Sequence, residues 1–184
     1  MEEFIEEAKK LAYRETEKNG TPPIPIMNLS TEIGKKIAKE MGANVDIVEV
    51  GTLLMDCALG QALKENRREE HIKMSLEKAK ELLDKSSLFE EEKENIYHCI
   101  LEHHGINKFY SLESEICCNA DCYRFVSVKG FLMQVKYGRD MSFEEMVSLL
   151  KEKVDEKWNA ISLDTVKKEL EPEYQKILEI LKYI

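Results

Sequence analysis

The amino-acid sequence predicts an all-α protein that forms a single domain. Only four prolines and eight glycines interrupt its 184 residues, so long stretches carry no helix breaker. Apolar residues recur at helical spacing along most of these stretches, and none alternates apolar with polar side chains as a half-exposed strand would. The hydrophobic fraction of 43% is enough for one sizeable core and excludes a disordered chain.

The first half of the chain predicts five helices. The N-terminal one carries an apolar stripe from Phe4 to Ala12 and stops at the Asn19-Gly20 pair. Three prolines make residues 21–25 a stiff connector, and the weak periodicity of residues 57–68 predicts a loop with short turns. The predicted helices cover about 2–18, 29–41, 45–56 and 69–84, and a fifth runs from a capping box at Ser87 and Glu90 to His103 or His104.

The second half predicts three more helices, which makes about eight in all. One begins at Ser111 and continues to Tyr137, where Gly138 ends it. A capping box at Ser142 and Glu145 opens the next helix. The last helix carries apolar residues to the C-terminus, with Pro172 near its first turn.

The charge and the apolar pattern exclude several classes of partner. Asp and Glu number 36 and Lys and Arg 27, so the formal charge is −9, and a surface this acidic repels nucleic acid and anionic lipid. No apolar run reaches the ~18 residues of a membrane span, and the acidic N-terminus lacks the pattern of a signal peptide. We therefore expect a cytoplasmic protein whose five cysteines are free thiols.

Four histidines provide most of the reactive side chains, and three of them lie near one helix end. His103 falls on the apolar face of its helix, whereas His98 lies off that face. A histidine at the inner end of a helix has two interpretations. It can bond to the last carbonyl groups of the helix, or it can serve as a metal ligand or a general acid or base.

Two carboxylates stand in apolar surroundings. Asp56 directly follows the apolar run Leu53-Leu54-Met55, and Asp121 lies inside a helix among small and apolar residues. Such groups must reach water, accept hydrogen bonds or meet a cation, and Arg124 is placed to be the cation for Asp121. A zinc site at Cys117, Cys118 and Cys122, or a nucleophilic Cys57 or Cys122, has weaker support because no CxxC pair or activating neighbour is present.

In their order and spacing, segments of residues 25–138 resemble the HD superfamily of metal-dependent phosphohydrolases. In that family a helix with an opening His precedes an apolar helix ending in His-Asp, two further His positions and a long helix containing Ala-Asp. The matching segments here are Leu29-x3-Ile33-Gly34, Leu53-Leu54-Met55-Asp56, His71, Ile100-x2-His103, Ser111-x-Glu113-x2-Ile116-x2-Asn119-Ala120-Asp121, Gly130 and Tyr137-Gly138. The resemblance implies an HD-like core at about 25–138, with the N-terminal helix 1–19 and the C-terminal helices 140–184 packed on it.

The chain departs from the family pattern at two of the four usual metal ligands. Leu29 stands at the opening His and Met55 at the His of the pair, and neither side chain can replace imidazole for a hard divalent ion. Met133 stands where the family often has Arg. The resemblance then implies a rearranged site, with Asp56, His71, His103 and Asp121 as metal ligands, His103 and His104 as catalytic residues, and His71 and Arg124 as substrate-binding residues.

Three hypotheses for function follow from these observations. The first is a phosphohydrolase that acts on a nucleotide or another small phosphate ester and uses Mn²⁺, Mg²⁺, Fe²⁺, Ni²⁺ or Zn²⁺, with activity reduced by the missing ligands. The second is an inactive HD-fold module that binds no metal and keeps the cavity for a phosphorylated ligand or a protein partner. The third is a helical interaction protein that forms a homo-oligomer through its acidic ends, residues 1–19 and 140–184.

Overall fold

The computed structural model describes residues 1–138 and 141–184, and this part of the chain contains helices and no strand, which confirms the all-α prediction. Asp140, where the predicted C-terminal segment 140–184 begins, lies outside the described residues. The helices are α1 (Glu2–Asn19), α2 (Ile24–Met41), α3 (Val45–Leu54), α4 (Leu59–Lys64), α5 (His71–Leu83), α6 (Glu90–Leu101), α7 (Leu112–Val126), α8 (Val128–Tyr137), α9 (Phe143–Ala160) and α10 (Asp164–Leu181), with a 3₁₀ turn at Arg68–Glu70.

The structure adds two elements to the predicted set in the first half of the chain. Residues 57–68, predicted as a loop with turns, contain the short helix α4 and lead into the 3₁₀ turn.

Helix α2 begins at Ile24, five residues before its predicted start, because Pro25 occupies the first turn. A proline is tolerated there since the first N–H groups of a helix have no partner within it.

The long helix predicted from Ser111 to Tyr137 is divided into α7 and α8 at Ser127. Ser127 has extended backbone, with ψ of 146°, between two helical segments. Its hydroxyl donates to the carbonyl of Tyr123 over 2.6 Å and accepts from the N–H of Gly130 over 3.0 Å. The Ser127 side chain therefore bonds to a carbonyl group in the last turn of α7 and caps the start of α8. Apolar periodicity does not reveal a local interaction of this kind.

Three other helix ends show how well capping signals locate a boundary. The box at Ser142 and Glu145 is present, with each residue accepting a hydrogen bond from the backbone of the other. Helix α6 begins three residues after the predicted Ser87 box, because Glu92 accepts from the N–H of Phe89. Helix α10 begins at Asp164, so Pro172 lies inside it, on the exposed side where water can bond the freed carbonyl group.

The centre of the core is formed by α3, which is apolar on nearly all sides. Its buried residues pack with those of α1, α2, α6 and α7, while a second apolar cluster joins α8, α9 and α10 through Phe131, Leu150, Val154 and Ile177. All five cysteines are buried and unpaired. Among the described residues, no helix combines the length and the apolar character that a membrane span requires.

Gly51 allows α3 to pack closely against α6 and α7. A Cβ atom at this position would lie 2.5 Å from the Cβ of Cys99 and 2.8 Å from the Sγ of Cys117. We expect Gly51→Ala to destabilise the protein by about 1–3 kcal/mol through overpacking, measured by urea denaturation. In an uncrowded helix the same change stabilises by up to about 1 kcal/mol, so a stabilised variant would contradict the close packing.

Candidate active site

The fold brings together one carboxylate and three imidazoles from three separate helix ends. Asp56 follows the C-terminal end of α3, His71 is the first residue of α5, and His103 and His104 follow the end of α6. One potential ligand atom from each residue lies within 4.8 Å of all the others. Asp56, His71 and His103 are buried and His104 is partly exposed, so the cluster lies just below the surface.

Three atoms of this cluster face one another without a hydrogen bond between them. Oδ1 of Asp56 lies 3.4 Å from Nε2 of His103 and 3.6 Å from Nε2 of His71. All three atoms are buried, and none has a hydrogen-bond partner within residues 1–138 and 141–184. Buried polar atoms are rarely left in this state, and a group of them facing a common point is typical of a cation site.

Backbone carbonyl groups fix the orientation of two of the rings. Nδ1 of His71 lies 2.7 Å from the carbonyl oxygen of Arg68, and Nδ1 of His103 lies 2.7 Å from that of Ile100. A carbonyl oxygen only accepts, so each Nδ1 carries the proton, and Nε2 of a neutral ring then holds a lone pair directed at Asp56. Metal-binding histidines are commonly held by a carbonyl group in this way.

A second set of charges lies behind Asp56. The guanidinium of Arg124 donates to Oδ2 of Asp56 over 2.7 Å and also to Oδ1 of Asp121, one turn earlier on α7. The ammonium group of Lys157, on α9, lies 2.7 Å from Oδ2 of Asp121. Two cations and two carboxylates thus alternate along a buried chain, and their charges balance.

These neighbours set the protonation states of the site. Burial raises the pKa of Asp56 and Asp121, but neighbouring groups, the charge of Arg124 first among them, together exceed that effect and hold both pKa values below their usual range. Burial lowers the pKa of His71, and it lowers the pKa of His104 to about 3. Burial also lowers the pKa of Lys157, but Asp121 reverses that effect and raises it to about 12. At neutral pH the carboxylates are therefore ionised, and His71 and His104 are neutral.

The residues predicted for the site fall into two groups. Asp56, His71, His103 and His104 lie together, whereas Asp121 contacts Arg124 and Lys157 and is outside the group of potential metal ligands. Arg124 contacts both carboxylates, as the ion-pair interpretation of Asp121 predicts. At the positions where the family has its two other histidines, the side chains of Leu29 and Met55 are buried in the structure.

The cysteines do not form a comparable group. Sγ of Cys117 faces the carbonyl of Val48, whereas Sγ of Cys118 faces that of Ala160, so neighbouring thiols point to different helices. Burial raises the pKa of Cys57 to about 12, which leaves this thiol protonated and unreactive at neutral pH.

A cavity of about 400 Å³ opens onto the cluster. Its lining includes Asp56, His71, His104 and Arg124, and helix α9 supplies four further charged residues: Glu152, Lys153, Glu156 and Lys157. None of these four residues was predicted from the sequence. Lys157 follows Leu150 and Val154 at helical spacing on the apolar face of α9, and a lysine at such a position is the signal that would have marked it.

Solved structures with the same arrangement of helices are found at low sequence identity. A predicted HD superfamily hydrolase from an uncultured Thermotogales bacterium has a TM-score of 0.69 and 15% identity, over 97% of this chain and 89% of that chain. YpgQ of Bacillus subtilis has a TM-score of 0.67 and 13% identity, over 98% and 93% of the two chains. YpgQ in complex with ADP gives a TM-score of 0.66 at 14% identity, over 98% of this chain and 94% of that chain. No family model and no curated protein matches the sequence.

Proposed function

Because the chain has the HD-superfamily fold, we propose that it is a divalent-metal-dependent phosphohydrolase acting on a nucleotide or another small phosphate ester. The observation that carries the proposal is a set of three buried atoms on Asp56, His71 and His103, which face each other beside a cavity and have no hydrogen-bond partner in the part of the chain that the structure describes. A catalytic metal site typically has three protein ligands and one open position. A protein of the same fold has been crystallised with ADP, which favours a nucleotide as the ligand.

The donor set favours some metals over others. Asp56 supplies one carboxylate oxygen, while His71, His103 and His104 supply imidazole nitrogens. Imidazole suits Zn²⁺, Fe²⁺ and Ni²⁺, whereas Mg²⁺ prefers a shell of oxygen atoms and water. We therefore place Zn²⁺, Fe²⁺ and Ni²⁺ ahead of Mn²⁺, and Mg²⁺ last.

Each residue of the site has a definable task in hydrolysis. When bound, a divalent ion would lower the pKa of a water molecule and shield the charge of the phosphate. Arg124 holds Oδ2 of Asp56, which leaves Oδ1 directed at the two histidines. Because the rings of His71 and His103 are held by carbonyl groups, their Nε2 atoms are already aimed when the ion arrives. Arg124 also faces the cavity, where its remaining N–H groups can contact phosphate oxygens.

His104 is better suited to binding an ion than to transferring a proton. With a pKa of about 3, the ring is neutral at pH 7, so its protonated form is not available to a leaving group, and the neutral ring is a weak base. A neutral imidazole beside His71 and His103 can instead complete the metal shell.

A ligand-binding module without turnover is the second candidate, and one observation favours it. Arg124 bridges Asp56 and Asp121, the two carboxylates that the resemblance assigns to the usual metal. The guanidinium of Arg124 thus binds one oxygen of each carboxylate and compensates their charge without a metal ion. In this alternative the cavity binds a phosphorylated ligand, and the histidines contact it.

The two candidates are separated by metal analysis together with an assay for phosphate release. The full chain is purified without chelator, its metal content is measured, and it is incubated with Zn²⁺, Fe²⁺, Ni²⁺, Mn²⁺ or Mg²⁺ and a panel of nucleotides. We expect about one ion per chain and release of inorganic phosphate that a chelator abolishes. Protein that stays metal-free and inactive, yet is stabilised against heat by a nucleotide, would instead support the binding module.

A further inference from the structure

Helix α9 lies outside the segment that resembles the HD core, yet it forms one wall of the cavity. Lys153, Glu156 and Lys157 all line it, together with Asp56 and His71. Positions 153 and 157 are one helical turn apart, and residue 156 lies on the same side of the helix. A row of three charges on one helix therefore shares the cavity with the candidate metal site.

Both lysines are buried to a degree that is unusual for this residue. The side chain of Lys153 is 13% exposed and that of Lys157 is 2% exposed. Lysines are almost never buried unless an anion accompanies them. The ammonium group of Lys157 lies 2.7 Å from Oδ2 of Asp121, an ion pair that engages one of its three N–H donors. The other donors remain available to another anion.

Glu156 is the anion that now stands between the two lysines. Its carboxylate contacts Lys153 directly, and its Oε1 lies 3.6 Å from Nζ of Lys157. Burial raises the pKa of Glu156, but the hydrogen bond from Lys153 and the charge of Lys157 lower it below its ordinary value, so the group is ionised. At 38% exposure, Glu156 is far more open to solvent than either lysine and can turn outward without loss of core packing.

We propose that Lys153 and Lys157 form a phosphate-binding subsite and that the Glu156 carboxylate fills it until a phosphate group displaces it. The location of the subsite in the active cavity rests on the proposed function, although binding of phosphate requires no turnover. The charges support the exchange. Arg124 and Lys157 already balance Asp56 and Asp121, so once Glu156 leaves, the charge of Lys153 is unmatched and attracts an anion. Glu156 thereby selects ligands with enough negative charge to replace it.

The test is binding of inorganic phosphate to the full chain, kept metal-free with chelator and measured by isothermal titration calorimetry. Glu156→Gln removes the competing charge and keeps the shape of the side chain. We expect the dissociation constant for phosphate to fall about tenfold, and Lys153→Met to raise it about tenfold. Lys153→Met is preferred to a change at Lys157, because Lys157 also accompanies the buried Asp121.

Glu152→Gln is the matched control. Glu152 lies on the same helix and lines the same cavity, and within the described residues it forms no ion pair with a lysine. Its removal changes the net charge equally, so we expect less than about a twofold effect on phosphate affinity. Equal tightening by Glu152→Gln and Glu156→Gln, or unchanged affinity in Glu156→Gln, would overturn the subsite.

The outcomes for the subsite and for the hydrolase are distinguishable. A chain without metal or hydrolysis whose phosphate affinity still rises in Glu156→Gln retains the subsite and rejects the proposed function. A chain that hydrolyses nucleotides but binds phosphate equally well with and without Glu156 retains the function and rejects the subsite.

Discussion

Replacing His103 with alanine is expected to lower metal affinity by more than about 100-fold and to abolish metal-dependent phosphate release. Loss of an outer-shell partner alone costs 10–100-fold in typical metal sites, and His103 would be a direct ligand. Its Nε2 lies 3.4 Å from Oδ1 of Asp56, closer than the Nε2 of His71 at 3.6 Å. Affinity is measured by titration against a competing chelator, and activity as phosphate released by metal-loaded protein.

His98→Ala is the control for this variant. His98 lies on α6, close in sequence to His103, but it stacks on Tyr110 and bonds to Glu102, away from the cluster. The same side chain is removed in both variants, so a change in metal affinity confined to His103→Ala identifies the site. Equal metal binding by His103→Ala and the unaltered protein, with both folded by circular dichroism, would reject Asp56, His71 and His103 as a metal site.

The second large effect is expected on stability, at Asp121. Its carboxylate is fully buried between Arg124 and Lys157. Asp121→Asn leaves two buried cations with one carboxylate, and breaking a buried pair in this way costs about 3–5 kcal/mol. Denaturation by guanidinium chloride at pH 7 measures the loss. Metal affinity is expected to change far less than in His103→Ala, because Asp121 lies outside the group of ligand atoms.

Two further results decide the role of Asp121. Adding Lys157→Met to Asp121→Asn removes one unmatched cation, so the double variant is expected to be more stable than Asp121→Asn alone. Such recovery would identify Asp121 as the counter-ion of these cations. If Asp121→Asn instead loses metal as completely as His103→Ala, Asp121 is a ligand, as the family resemblance implies, and the ion-pair assignment is wrong.

Apolar periodicity was sufficient to predict the class and order of the main helices, since the side chains that build the core also carry the pattern. It failed where a single polar interaction sets a boundary. Ser127 bonds to both adjoining helices and divides what the pattern shows as one helix. The early start of α2 depends on Pro25 in a first turn, whereas the sequence alone associates a proline-rich stretch with a connector.

Residues of the candidate site could be predicted only where the sequence places a polar or charged side chain among apolar neighbours. Asp56 after an apolar run and His103 on an apolar face are such conflicts, and the structure places them 3.4 Å apart. The role of Lys157 depends on α9 crossing to Asp121, thirty-six positions earlier in the chain, and such a pairing has no local signature. The position of Lys157 on the apolar face of α9 indicates that this lysine is unusual, but it does not identify Asp121 as its partner.

The alternating cations and carboxylates of the interior also bear on how the protein folds. Many small metalloproteins are unfolded until their ion arrives, because ion binding supplies the free energy of folding. In this chain, Arg124 and Lys157 already compensate the charges of Asp56 and Asp121. We therefore expect the chain to reach its folded state without a divalent ion, and on the proposed function an ion would enter a site that is already assembled.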